Sequence, residues 1–289
     1  MSIDFSTLQG LTIPEGEVVK IEDGLGNVLW ELQSNKPIIL EVEKITSDTY
    51  AGETTYSNEE FILLDIYPKT NGTVKVTYGG LTKTITDTSG AEEPNAQQVY
   101  FGTFNGVSDE VETPASGQLT IKGDCRGFGC GYFKISSSTK SSLGYSHSFV
   151  TDIESFGAVE FIPEYAFDSI NGNKLTMANI EIPKTVTSIG KGSFANSSML
   201  ETLTIGEGVT YIGRAAFNNC PNLTIVKVLG TTPAAMEYDT SYQIKGGQFG
   251  VIGEDDFVLE KIIVPKGCGD TYKTADVWSE YADYIVEAS

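Results

Sequence analysis

The chain has 289 residues with a formal net charge of −20, and 40% of its residues are hydrophobic. This length suits two domains with a sizeable core, and the 31 glycines, 14 tyrosines and 14 phenylalanines favour strands and turns over helices. An acidic surface repels phosphate backbones, so nucleic acid is excluded as an expected partner. No apolar run is long enough to span a bilayer, so we expect no membrane insertion.

Residues 1–36 are predicted to form an extended arm followed by one β-hairpin. Two short apolar runs flank an Asp-Gly-Leu-Gly-Asn turn at residues 23–27, a pattern that is typical of hairpins. An isolated hairpin is only marginally stable in water, so we expect it to anchor the chain on another surface. The anchoring apolar side chains are Val19, Ile21, Val28 and Trp30.

Residues 37–135 contain about seven short strand-like runs that are separated by turn sequences. This spacing predicts a β-sandwich of immunoglobulin type. Val74, Val76 and Tyr78 alternate with polar residues, as in a strand with one face in water. Because the Cys…Trp…Cys pattern of antibody domains is missing, "Ig-like" here describes architecture alone. The Ser-rich residues 136–148 are predicted to be a linker.

The cysteines and the single histidine do not predict a metal site or a catalytic site. Cys125 and Cys130 have a spacing unlike that of zinc knuckles, and His147 has no nucleophile motif near it. A local disulfide between the two cysteines stays open. Gly127–Gly131 is interpreted as a strand-end turn or bulge, and Cys220 as a small buried thiol. We therefore expect no cofactor, no metal and no enzymatic activity.

The C-terminal half contains three similar segments, which begin at Val159, Val186 and Val209. The last two are in strict register, with a period of 23 residues carried by Leu, Ile, Val and Phe. Such a period is typical of a leucine-rich solenoid, whose coils bury their apolar faces by stacking. Residues 149–289 are therefore predicted to be a leucine-rich-repeat domain in which Phe194 and Phe217 point inward and stack.

After the last clear repeat the period breaks over residues 230–257. Insertions in repeat proteins often lie on the binding face, and aromatic residues are enriched at binding hot spots. The predicted ligand-binding residues are therefore Tyr238, Tyr242 and Phe249. The alternative, that these rings pack the insertion against the coils, stays open. Helical spacing of apolar residues over 270–286 predicts one amphipathic helix that caps the last coil.

Two resemblances to known families follow from these motifs. Residues 150–286 resemble the BspA-like leucine-rich-repeat surface proteins, through Val-Thr-Ser-Ile-Gly from 186, Val-Thr-Tyr-Ile-Gly from 209 and the ending from Val264. This resemblance implies adhesion or partner binding, with no catalytic residues. The hairpin at residues 18–30 is similar to segments near the start of phage and prophage structural proteins of gut bacteria.

The sequence predicts a mainly β, non-enzymatic protein of a bacteriophage virion, either at a tail or fibre tip or as a capsid decoration. Its arm would contact other virion proteins, and its repeats would bind a host or mucosal surface protein or glycan. The first residues show no secretory signal, which fits assembly in the host cytoplasm and release by lysis. The alternative is a BspA-type adhesin on the bacterial cell surface. Whether the chain forms a homo-oligomer stays open.

Overall fold

The computed structural model describes residues 20–22, 28–31, 36–46, 60–90, 95–104, 107–130, 150–169, 175–237, 248–249 and 258–289. Within these ranges the protein is mainly β, with few helices. No helix among them is long and apolar enough to cross a membrane.

The predicted N-terminal hairpin is present as two short strands. β1 (Lys20–Glu22) pairs antiparallel with β2 (Val28–Glu31), and Ile21 lies opposite Trp30. Val19 and the turn at residues 23–27 lie outside the described residues. The anchoring role of this hairpin stays a prediction.

Ten further strands form two antiparallel sheets, which we call the two-sheet unit. In chain order they are β3 (Ile38–Glu43), β4 (Ile45–Thr46), β5 (Glu60–Pro68), β6 (Thr73–Tyr78), β7 (Leu81–Thr86), β8 (Gln97–Phe104), β9 (Val107–Ser108), β10 (Ser116–Gly123), β11 (Cys125–Cys130) and β12 (Val150–Phe156). The first sheet has the order β12-β3-β10-β6-β7, and the second has the order β11-β5-β8-β9 with β4 beside β5. The Tyr78 and Phe101 rings, one from each sheet, meet edge to face with centroids 5.7 Å apart.

The strand order shares its central pairs with the immunoglobulin sandwich and differs at the first, fourth and last strands. With the seven longer strands from β3 to β11 lettered A to G, B pairs with E and C pairs with F, as in immunoglobulin domains. Strand A, however, lies beside F, strand D lies beside C, and strand G lies beside B. The seventh strand therefore leaves the sheet where immunoglobulin domains have it and becomes an edge of the other sheet.

The two-sheet unit also includes β12, which the sequence assigned to the repeats. β12 pairs antiparallel with β3, and Ile153 lies opposite Leu40. Val150, Ile153 and Phe156 are buried, so this strand completes one edge of the first sheet before the chain enters the coils.

The described residues between 159 and 289, which we call the coil stack, contain two parallel sheets. Their strands are β13 (Phe161–Ile162), β14 (Asn179–Ile182), β15 (Ser188–Ile189), β16 (Thr202–Ile205), β17 (Tyr211–Ile212), β18 (Ile225–Val228), β19 (Ala235–Met236), β20 (Lys261–Val264) and β21 (Ile285–Glu287). The short sheet has the order β13-β15-β17-β19 and the long sheet β14-β16-β18-β20-β21. Leu203 lies opposite Ile180 and Val226, so the 23-residue period of the sequence is the register of the sheet.

A column of phenylalanine rings fills the interior of the coil stack. The Phe194 and Phe217 rings stack with centroids 5.3 Å apart and an interplanar angle of 4°, which confirms the predicted contact. Phe167 stacks on Phe194 at 5.1 Å. These rings are fully buried, as are the aliphatic residues that repeat with them.

Phe249 is the next ring of this column, which corrects its expected exposure. Its side chain is 4% exposed and lies 6.0 Å from Phe217 and 5.9 Å from Trp278, centroid to centroid. Met236 and Phe249 are 13 positions apart, whereas Ile212 and Phe217 are 5 apart. The chain therefore has eight more positions here between the strand of the short sheet and the ring of the column.

The prediction of a single capping helix over residues 270–286 is wrong. The segment instead forms α1 (Gly269–Thr274), a 3₁₀ helix at Trp278–Tyr284 and the strand β21. Val277 has a φ of 63°, a left-handed conformation that an α-helix cannot contain, so the helix stops before it. The apolar residues of this segment still face the interior, since Tyr272, Trp278 and Tyr281 are all buried.

Candidate binding face

Strand β11 of the two-sheet unit lies in register with the coils. The carbonyl oxygen of Arg126 accepts a hydrogen bond from the N–H of Glu160 at 2.7 Å. The same bond recurs from Thr187 to Glu160 at 2.7 Å, from Thr210 to Thr187 at 2.8 Å and from Ala235 to Thr210 at 2.8 Å. β11 therefore occupies the place of the coil that would precede β13, and the second sheet continues into the short sheet.

Two glycines allow this close approach. A Cβ atom on Gly127 would lie 2.9 Å from the Phe161 ring, and one on Gly129 would lie 2.9 Å from the Cα of Ala166. The Gly-rich segment is thus a strand with a register shift between Cys125 and Gly127, in line with the bulge interpretation. It brings two backbones together and does not form a loop.

The interiors of the two units form one core. The Phe128 ring of β11 meets the Phe167 ring of the first coil edge to face at 5.5 Å, and it lies 6.1 Å from Phe156 of β12. The buried apolar residues of both units belong to a single contact cluster. The aromatic column therefore begins in the two-sheet unit and ends at Trp278.

Aromatic and small residues alternate across the outer surface of six consecutive strands. The positions in order are Tyr67, Gly127, Phe161, Ser188, Tyr211 and Ala235. We call Tyr67, Phe161 and Tyr211 the aromatic row. Tyr211 is 38% exposed, and the other two rings are half-buried.

The rings of the aromatic row are held by specific contacts. Tyr67 and Phe161 meet edge to face at 5.2 Å, and the Arg126 guanidinium lies 5.4 Å from the centre of the Phe161 ring. The hydroxyl of Tyr211 donates a hydrogen bond to Glu237 at 3.2 Å. These contacts restrain the orientation of each ring.

Both tyrosines of the row remain protonated at neutral pH. Burial raises the pKa of Tyr67, and the nearby carboxylates of Asp65 and Glu164 raise it further. The pKa of Tyr211 is raised by burial and by Glu237. Each phenol therefore keeps its proton as a hydrogen-bond donor.

Charged pairs surround the start of the row. Glu160 accepts hydrogen bonds from Lys69 and Arg126, both at 3.1 Å. Burial would raise the pKa of the Glu160 carboxyl, but the two cations outweigh burial and hold the pKa below its usual value. Glu160 therefore links the two-sheet unit to the first coil twice. Its carboxylate pairs with Lys69 and Arg126, and its backbone N–H donates to Arg126.

Tyr165 provides a further ring at the adjoining corner. Its φ of 54° is left-handed, which is rare for a bulky side chain. A Cβ atom on Gly192 would lie 2.7 Å from the Tyr165 ring. The ring can occupy this position because residue 192 is a glycine. The ammonium group of Lys191 lies 5.5 Å from the ring centre.

The predicted ligand-binding residues do not come together on a described surface. Phe249 is in the interior, and Tyr238 and Tyr242 lie outside the described residues. The aromatic row was missed by sequence analysis. Aligning the repeats would have placed Phe161, Ser188 and Tyr211 in one row, but nothing in the sequence joins Tyr67 to them.

The described cysteines are free, and three of them are buried. Strand geometry separates Cys125 and Cys130 by roughly 15 Å, far beyond disulfide reach. Burial raises the pKa of Cys125 and of Cys220 to about 12, so both are thiols at neutral pH. Cys220 is a small group of the coil interior, as the sequence predicted. No three potential metal ligands converge among the described residues.

The parallel register, the 23-residue period and the aliphatic interior define a mainly β protein with leucine-rich repeats. The family model described as the BspA type Leucine rich repeat region matches residues 160–237, in 6 copies. The resemblance to that family is thereby confirmed for these residues, whereas the resemblance of the N-terminal half to phage proteins is unsupported. No curated protein matches the chain.

Proposed function

We propose that this protein is a non-enzymatic binding protein whose coil stack holds a ligand-binding face rigid. The observation that carries this proposal is the hydrogen-bonded register that joins β11 to β13, β15, β17 and β19. This register gives a continuous outer surface across both units. The match to the BspA type of repeat supports a role in surface binding.

The interior of the coil stack supports a binding role over a catalytic one. Its repeated positions hold Phe, Leu, Ile and Val, and the Cys220 thiol among them has a pKa raised by burial to about 12. Such a thiol is a poor nucleophile at neutral pH. The coils therefore act as a scaffold, and the chemistry of recognition lies on their outer surface.

In its more specific form, the proposal places the protein in a bacteriophage virion, at a tail or fibre tip or as a capsid decoration. The hairpin β1–β2 would dock on other virion proteins, and an Ig-like unit would separate that anchor from the coils. The coils would bind a host or mucosal surface protein or glycan. The pairing of β1 with β2 supports the existence of the proposed anchor.

The second candidate is a bacterial cell-surface adhesin. The match of residues 160–237 to the BspA type of repeat favours it, because that family resemblance implies adhesion. The two candidates share the binding face. They differ in location, because the first places the protein on a virion and the second places it on the bacterial cell surface.

The binding function is tested with the full-length chain, because β12 and Phe128 contribute to the core of both units. Removal of the repeats would expose that core. Fluorescently labelled protein is incubated with cells of the bacterium that encodes it and with a mucin-coated surface. We expect saturable binding to at least one of them, with serum albumin as an acidic control. Binding no greater than that of albumin to either surface would overturn the proposal.

The location is tested separately. Lysis of the encoding bacterium is induced, particles are purified on a density gradient, and peptides of this chain are counted by mass spectrometry. Recovery in the particle fraction supports the virion. Recovery only in peptides that protease releases from intact cells supports the adhesin instead.

A further inference from the structure

We propose that the aromatic row binds a linear, uncharged, β-1,4-linked glycan whose chain runs along the axis of the coil stack. This inference rests on the proposed binding function and names its ligand class.

Two positions of the row have the spacing of an extended glycan. Neighbouring strands of a sheet lie about 4.8 Å apart, so the Cα atoms of Phe161 and Tyr211, two strands apart, lie about 10 Å apart. In an extended β-1,4-linked chain each sugar is turned over relative to the next, so the same apolar ring face returns at every second sugar. One disaccharide spans nearly the same distance as two coils.

The residue between the two rings leaves room for a sugar. The Phe161 ring leans over Gly127 towards Tyr67, and therefore away from Ser188. Ser188 is small, and its hydroxyl can donate and accept hydrogen bonds. A sugar that lies over Ser188 would have Tyr211 on its other side, with the Tyr211 hydroxyl and the Glu237 carboxylate at the edge of the site.

The charges beside the row are partly compensated by ion pairs. In the described part of the chain, the charged residues that interact with its rings or pair beside them are Asp65, Glu160, Glu164, Glu237, Lys69 and Arg126. Four of these six are acidic, and Glu160 is paired with both cations. A surface with paired charges and residual acidity suits an uncharged polymer better than an anionic one. The surrounding acidity disfavours anionic glycans and nucleic acids.

A peptide that adds as an extra strand is a poorer fit, because strands β11, β13, β15 and β17 are paired on both sides. The rings of the row are also partly exposed, whereas the hot spots of protein interfaces centre on fully desolvated side chains. Flat rings with polar groups between them suit sugars, which have apolar faces and polar rims.

Isothermal titration calorimetry of the full-length chain tests the ligand class. The probes are cellohexaose and chitohexaose, with maltohexaose as the α-1,4-linked control and heparin as the anionic control. We expect at least one β-linked hexaose to bind, its disaccharide to bind at least about tenfold more weakly, and neither control to bind comparably. Equal binding of maltohexaose would overturn the proposed linkage, and stronger binding of heparin would overturn the proposed charge.

Two variants test the site. Tyr211→Ala removes one ring from an exposed position, and we expect at least about tenfold weaker binding. Ser188→Trp fills the space between the rings and should abolish binding. Leu229→Ala is the matched control, because Leu229 is a 51% exposed apolar side chain outside the short sheet. Circular dichroism checks that all three variants keep the fold. Unchanged binding by both row variants would overturn the assignment.

The failure of this inference can be told apart from the failure of the proposed function. If no hexaose binds while the chain still binds cells, the glycan assignment is wrong and the binding function stands. If Tyr211→Ala abolishes cell binding and protease treatment of the cells does so too, the row contacts a protein, which also overturns the glycan. If the chain binds no surface at all, the proposed function itself fails.

Discussion

The backbone N–H of Glu160 donates to the carbonyl oxygen of Arg126 at 2.7 Å, and this bond joins the two halves of the molecule. It gives the first coil a neighbour on the side where a repeat stack would otherwise expose its core. Terminal repeats need such caps. Here the edge strand of an antiparallel unit serves as the cap at one end, and Trp278 and Tyr281 close the other.

This junction depends on the absence of a side chain at Gly129. In Gly129→Ala the new Cβ would lie 2.9 Å from the Cα and Cβ of Ala166, so one backbone must move. We expect the free energy of unfolding to fall by about 1–3 kcal/mol, as in other overpacked cores. Urea denaturation followed by tryptophan fluorescence measures it.

Gly230→Ala is the matched control for the junction. Gly230 is also buried, but a Cβ there would meet no atom closer than 3.5 Å. We expect a change within about 0.5 kcal/mol, which is ordinary for substitutions away from special features. An equal loss in both variants would contradict this explanation. It would show that the close approach of β11 to the coils is not the reason why Gly129→Ala lowers the free energy of unfolding.

The aromatic column should carry much of the stability of the coil stack. Phe194 is fully buried between the rings of Phe167 and Phe217, so Phe194→Ala leaves a cavity as well as losing buried area. We expect a loss of about 3–5 kcal/mol in the free energy of unfolding. Met199→Ala, at a residue 49% exposed, should change it by less than about 0.5 kcal/mol. A loss below about 1 kcal/mol for Phe194→Ala would mean that the column collapses around the gap.

The coils could be predicted from the sequence because the same apolar residues recur at the same spacing in each repeat, and this spacing sets the register of the strands. Val186, Phe194 and Leu200 recur 23 residues later, and only stacked parallel strands bury all of these positions together. The hairpin β1–β2 was equally predictable, because its turn residues are local signals. Phe249 was misplaced, since the insertion before it hides its place in the column.

The junction and the aromatic row could not be predicted in the same way. Arg126 and Glu160 are 34 positions apart, and their pairing depends on which sheet takes the edge strand β11. Nothing in a single sequence fixes that choice. Tyr67 then reaches Phe161 only through β11, so a row drawn from two units cannot be found by comparing repeats alone.

One buried hydroxyl should reduce stability. Ser193 is fully buried in the coil interior, and its Oγ has no hydrogen-bond partner in the described part of the chain. The equivalent positions of the neighbouring coils are Ala166 and Ala216. We expect Ser193→Ala to raise the free energy of unfolding by about 1 kcal/mol, because it removes a desolvated polar group.

Ser197→Ala is the control for this substitution. Ser197 is also buried, but its Oγ donates to the carbonyl oxygen of Phe194 at 2.8 Å. Its loss should lower the free energy of unfolding by about 1 kcal/mol. Opposite signs in the two variants, measured by urea denaturation, are expected; a loss in both would imply that Ser193 has a partner.

The ion pairs of Glu160 should give the junction a dependence on pH. The folded-state pKa of this carboxyl lies below the usual value of 4.5, so the folded protein favours the charged form. Its contribution is present above pH 4.5 and is lost as the pH falls through the folded-state pKa. Because its side chain is 41% exposed, we expect less than about 1 kcal/mol.

Glu160→Gln removes this contribution and leaves the backbone bond to Arg126 in place. The melting temperatures of the two proteins should differ most at pH 7 and converge towards pH 3, because protonation then removes the charge from the natural residue as well. Measuring the difference between the two proteins cancels the titration of the other carboxylates. A difference that stays constant across this range would assign the effect to packing of the side chain and exclude its charge as the cause.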